Sequence, residues 1–168
     1  MLQIGDLIIY QVHGICRVDD ICDQTYVGVT RTYYVLHPIE NNHNLTVHIP
    51  VEKGKALLMK LIDKEEAEKV LQSFHSEGIE WIQRPQQRGH VYTGIVNTGN
   101  RIDIAKVANT LIQKKIELEK DGKKFNELDK KMLTNIEKIF FQEIAVALDT
   151  SVEDITDEVN RILDKKIS

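Results

Sequence analysis

The sequence predicts an α+β protein: a small five-stranded, strongly bent sheet or barrel in residues 1–62, then an all-α domain of about five helices in residues 63–168. Short apolar runs separated by Gly, Pro and Asn fill the first third, as strands joined by tight turns require. Beyond Ile62 the apolar residues recur at three- and four-residue steps instead, the spacing of one helix face. Four of these later stretches open on Asp, Asn or Thr with an acid three residues on, a device that satisfies free N–H groups at a helix start.

In order, residues 6–11 form a short apolar strand after the Gly5-Asp6 turn, and His13-Gly14 marks a second turn. Residues 15–23 alternate well enough for a strand. Gly28 breaks the next run, giving a hairpin-like return through residues 31–37. A polar loop over residues 38–44 leads to a strand at 45–49 that Pro50 ends, and residues 57–61 supply a short fifth strand. Five strands in so few residues suit a small bent sheet or barrel.

The helices follow. Asp63 with Glu66 caps a helix running to about Phe74, which Gly78 closes. A second helix begins at or just after Trp81 and ends near Gly99. Asn100 with Asp103 starts a third, carrying Ile104, Val107, Ala108, Leu111 and Ile112 to Asp121-Gly122. Asn126 with Asp129 starts a fourth through Met132, Ile136, Ile139, Phe140 and Ile144. Thr150 with Glu153 starts the last, through Ile155, Val159 and Ile162.

Composition excludes several classes. A hydrophobic share of 42% and a charged share of 29% are those of a soluble globular chain. No apolar run approaches the roughly 18 residues of a membrane span, and the start lacks a basic, signal-type leader, so a cytoplasmic protein is expected. Cys16 and Cys22, six apart on one strand, would lie roughly 20 Å from each other, too far for a disulfide unless the strand folds back. They are read as reduced packing residues.

The only Trp, Trp81, precedes Arg84, Pro85 and Arg88. Pro85 is tolerated only in a first helical turn, so the indole sits at or just before a helix start. Free N–H groups and partial positive charge there suit a phosphate. Two readings stand: an apolar wedge beside a nucleic-acid backbone, or an indole buried in a helical core. Charge is uneven. Residues 81–124 hold nine Lys/Arg against four acids, a net +5, whereas residues 143–168 hold three against seven, a net −4, within a chain of −4 overall. A basic segment can attract phosphate locally, although the same pattern also describes an ordinary solvated helix surface.

Catalytic motifs are sparse. The six histidines show no HxxxH or HExxH spacing, no glycine-rich nucleotide loop occurs, and no serine sits in a nucleophile elbow. His13 in its turn is the only imaginable acid/base residue, and a plain turn histidine explains it. No metal or cofactor is expected. An enzyme is the weaker class.

Gly5-Asp6-Leu7-Ile8-Ile9-Tyr10, His13-Gly14, Tyr33-Tyr34-Val35-Leu36 and Leu45-Thr46-Val47-His48-Ile49-Pro50 resemble the opening module of CarD-like transcription regulators, a module also found in transcription-repair coupling factors. Trp81 after a first helix, Val107-Ala108 with Leu111, and residues 125–133 are similar to the family's helical part. The resemblance covers nearly the whole chain in order, and the chain is too short for a coupling factor's motor domains.

The resemblance implies that residues 1–62 form a Tudor/SH3-like domain docking on the RNA polymerase β subunit through exposed strand edges, with Thr46, Val47 and His48 there. Gln24 and His48 stand where some relatives carry arginines. It implies that residues 63–168 bind promoter DNA at the upstream fork of the transcription bubble without strong sequence preference. Trp81 would wedge into the minor groove and hinder closure, stabilising the open complex. Arg84, Arg88 and Gln83 would contact DNA, Gln83 standing where relatives often have a basic residue. A monomer is expected, nucleoid-associated through RNA polymerase. The rival class is a polymerase-binding adaptor whose helical half contacts another protein.

Overall fold

A computed structural model describes residues 1–40 and 44–167 of the chain. Residues 41–43 of the expected polar loop lie outside the described residues. The chain divides into two compact units, Met1–Leu61 and Ile62–Ser168. Among the described residues no helix is long and apolar enough to cross a membrane.

The first unit is a five-stranded antiparallel sheet built from β1 (Leu7–Tyr10), β2 (Gly14–Tyr26), β3 (Val29–Pro38), β4 (Val47–Pro50) and β5 (Leu58–Lys60). The spatial order is β4-β3-β2-β1-β5. The barrel expected from the strand count is an open sheet: its two edges are β4, four residues paired with β3, and β5, three residues paired with β1. Alternation along β3 sends Tyr34 and Leu36 inward, where they meet Ile8, Cys16, Val18 and Ile49 in a small core.

The hairpin is longer than expected at both of its ends. Its tip is a two-residue connection in which Val27 and Gly28 take φ of 49° and 75°, the left-handed pair whose twist matches flanking strands. A β-branched residue is rarely found there, so the turn was hard to place from sequence. A register shift between Val18 and Asp20 puts one extra residue into β2, a bulge that bends the strand.

The second unit contains α1 (Lys64–Gln72), α2 (Pro85–Asn97), α3 (Arg101–Lys120), α4 (Glu127–Ile136), α5 (Gln142–Ala147) and α6 (Val152–Ile167). Asp63 accepts the N–H of Glu66 at 2.8 Å, Asn100 that of Asp103 at 3.1 Å, and Asn126 that of Leu128 at 2.8 Å. At the last helix Ser151, one residue later than expected, accepts the N–H of Asp154 at 3.1 Å, while Thr150 donates to the Asp154 carboxylate.

The single helix expected after Asn126 is instead two, joined by a π-helical turn at Glu137–Phe141. At that turn the adjacent Phe140 and Phe141 are both buried, beside Ile136 and Ile144. The core around them also buries Phe74, Tyr92, Leu111 and Leu163. At its margin the fully buried Glu143 carboxylate accepts two hydrogen bonds from Arg101, at 3.0 and 2.7 Å, and the N–H of Ile62 at 3.0 Å.

Candidate nucleic-acid interface

Trp81 lies on an extended segment between α1 and α2, four residues before Pro85 opens the helix. A stretch without regular structure must satisfy its backbone polar groups some other way. Here side chains do it. Asn109, buried on α3, donates to the carbonyl of Ser76 at 3.0 Å. The Thr110 hydroxyl accepts the N–H of Ile79 and donates to its carbonyl, both at 2.7 Å. Tyr92, fully buried on α2, donates to the carbonyl of Glu80 at 2.7 Å; burial pushes its phenol pKa up, so it stays a donor at neutral pH.

Gly78 does not close α1, which gives way to a short 3-10 turn at Ser73–His75. It permits close approach: a Cβ there would stand 2.3 Å from the Thr110 hydroxyl and 3.1 Å from two α3 backbone atoms. Only glycine lets the segment lie this near the helix.

The indole is half-buried, packed on one side against the helical core and bordering on another a groove lined by Glu77, Gly78, Glu80, Gln113, Lys114 and Glu117. The Arg88 guanidinium lies over the ring, 3.9 Å from its centroid, and the Lys114 ammonium lies at 5.1 Å. Both are cation–π distances. Arg84 and Gln83 are exposed at the entrance to α2, and Arg84 occupies the N-cap position with no side-chain capping bond.

Arg88 is not where a phosphate contact needs it. It is 2% exposed, paired with Asp129 through Nε at 2.8 Å and Nη2 at 2.5 Å. Its Nη1 donates to the carbonyls of Ile82 at 2.7 Å and Gln83 at 3.3 Å. Burial of an unpaired guanidinium is prohibitive, so its carboxylate partner fixes the inward orientation. Of the four residues grouped at this interface, Trp81, Gln83 and Arg84 reach the surface and Arg88 supports them from beneath.

The basic segment is also less basic in space than in sequence. Arg101 pairs with Glu143, Lys120 with Asp164 and Lys124 with Glu127, all acids outside residues 81–124. Beside the indole itself the groove sets Lys114 among Glu77, Glu80 and Glu117, so the surface there is of mixed sign.

In the β unit, Gln24 on β2 and His48 on the edge strand β4 are brought together: Gln24 Oε1 lies 3.1 Å from His48 Nδ1 and accepts the Tyr26 hydroxyl at 2.6 Å. Thr46, exposed just before β4, is 2.9 Å from His37 Nε2. Val47 turns inward onto the core, so only its main chain is offered to a partner. Among the described residues no group of three His, Cys, Asp or Glu side chains is arranged to hold a metal ion.

Comparison with known proteins places this geometry among relatives. Residues 2–62 match the family model described as the CarD-like/TRCF RID domain, and residues 69–160 match the CarD C-terminal domain. A Bacillus subtilis (strain 168) protein named "Putative transcription factor YdeB" is 28% identical over 151 residues, covering 87% of this chain and 92% of that protein.

Proposed function

The chain belongs to the CarD-like family of RNA polymerase-interacting transcription regulators, and on that premise we propose that it stabilises the open promoter complex by presenting Trp81 to the minor groove at the upstream edge of the bubble. The sheet unit docks on the polymerase β subunit through the β4 edge, with Thr46 and the Gln24–His48 pair beside it. Main-chain pairing at a strand edge gives affinity that depends little on side-chain identity, which fits Gln24 and His48 standing where some relatives have arginines.

The observation that carries the reading is the indole itself: half-buried, on a backbone segment hydrogen-bonded by the buried side chains of Tyr92 before it and Arg88 after it. A Trp serving only the core has no need of a preorganised, solvent-facing ledge. Wedging between base steps costs a few kcal/mol of unstacking, least where pairing is already broken. Such a group binds the melted fork more tightly than closed duplex, and that difference shifts the equilibrium toward open DNA. Arg84 at the entrance to α2 supplies a phosphate contact, and Gln83 a polar one.

The acids Glu77, Glu80 and Glu117 around the indole favour one other reading, an adaptor whose helical half grips a protein. Electrophoretic shift on fork-containing DNA, at two salt concentrations and with and without polymerase, separates them. Salt-sensitive binding that prefers the fork and is lost in Trp81→Ala supports the wedge. Polymerase binding with no DNA contribution at either salt supports the adaptor.

A further inference from the structure

Arg88 is a cation that touches both the indole and the backbone that carries it. Its guanidinium lies over the Trp81 ring at 3.9 Å while Nη1 holds the carbonyls of the two residues that follow the Trp, Ile82 and Gln83. The remaining edge of the guanidinium is locked in two-pronged fashion on Asp129, which α4 contributes from 41 residues further along. Two helices and the extended segment thus meet at one planar group, and Tyr92 fixes the residue before the Trp in the same way.

We infer that Arg88, held by Asp129, is a positioning residue that fixes the orientation of the Trp81 ring before DNA is met. The inference rests on the wedge reading of Trp81 and extends it to a residue that never reaches the nucleic acid. A planar fork is needed: only Arg can stack on a ring, grip a carboxylate with two parallel bonds and still reach two carbonyls. A lysine keeps the charge but loses the stacking plane and the second prong. The ring then samples other rotamers, and the ordering that the native protein has already completed must occur on binding instead.

The test uses Trp81 as the chain's single Trp, so its fluorescence reports this site alone. In Arg88→Lys, acrylamide quenching of Trp81 rises and the emission maximum moves, while far-UV circular dichroism is unchanged. Open-complex lifetime on a promoter falls roughly two- to tenfold, the expected cost of ordering one side chain on binding. In a Trp81→Ala background the same Arg88→Lys change has no further effect on lifetime, because there is no ring left to position. If Arg88→Lys does not fold, the Arg88→Met/Asp129→Leu double variant, which leaves no lone buried charge, is measured for quenching and lifetime in the same way.

Unchanged quenching in a folded variant overturns the inference. So does a loss of lifetime that is as large without the indole as with it, which assigns Arg88 to general stability. If Trp81→Ala itself leaves lifetime unaltered, the wedge reading falls, and quenching alone still decides whether Arg88 sets the ring.

Discussion

Replacing Gly78 by alanine should displace the wedge without touching it. The added methyl would stand 2.3 Å from the Thr110 hydroxyl and 3.1 Å from the Lys106 carbonyl and the Thr110 nitrogen. The last two belong to the backbone of α3 and cannot give way, so the segment must move outward by a few tenths of an ångström, and the Thr110 hydroxyl must swing aside as well. That movement breaks the two Thr110–Ile79 hydrogen bonds, each 2.7 Å long. Overpacking costs about 1–3 kcal/mol and each bond about 1 kcal/mol, for a total of about 3–5 kcal/mol. Urea denaturation followed by Trp81 fluorescence reads the helical unit directly. Thr110→Ala alone should cost about 1–2 kcal/mol, and the double variant little more than Gly78→Ala, because the same bonds are lost in both. A Gly78→Ala protein within about 0.5 kcal/mol of wild type would refute the close-approach reasoning.

Glu143→Ala should lower the stability of the helical unit by about 3 kcal/mol in urea, the low end for a broken buried pair because Arg101 keeps some solvent contact, and Glu143→Leu/Arg101→Met should cost less than the single change. Burial pushes the Cys16 thiol up to about 11 from 9.0, so the unfolded chain gives up its proton first as pH rises. The stabilising contribution is whole below pH 9 and lost between 9 and 11; denaturation midpoints should fall less over that range in Cys16→Val, and an identical fall would contradict it. With Arg84 exposed at the entrance to α2 and Lys114 half-buried against the indole, DNA affinity should fall only about tenfold from 50 to 200 mM salt, for roughly two phosphate contacts. Arg84→Ala should weaken binding alike on every sequence and flatten that dependence, as titrations at several salt concentrations will show.

What the sequence made legible was local. Pro85 located the start of α2 and so the position of Trp81, and Asp63, Asn100 and Asn126 marked three helix starts because capping involves neighbours in sequence. What it hid depended on distant partners. Arg88 reads as a phosphate ligand until Asp129 arrives from another helix, and no spacing in the chain announces that pairing. Gly78 reads as a helix stop because the contact that demands a glycine comes from Thr110 on α3. The β2–β3 hairpin ran long because Val27 accepts a left-handed conformation that its side chain disfavours. Gln24 and His48, 24 residues apart in sequence, touch each other only because the hairpin folds beside β4.

The central claim, that a half-exposed indole holds melted DNA open, meets its most direct test in the lifetime of polymerase–promoter open complexes challenged with a competitor. Wild-type protein should lengthen that lifetime, and Trp81→Ala should bind polymerase equally well yet return it to the value for polymerase alone. A Trp81→Ala protein that still prolongs the open complex as fully as wild type would contradict the account.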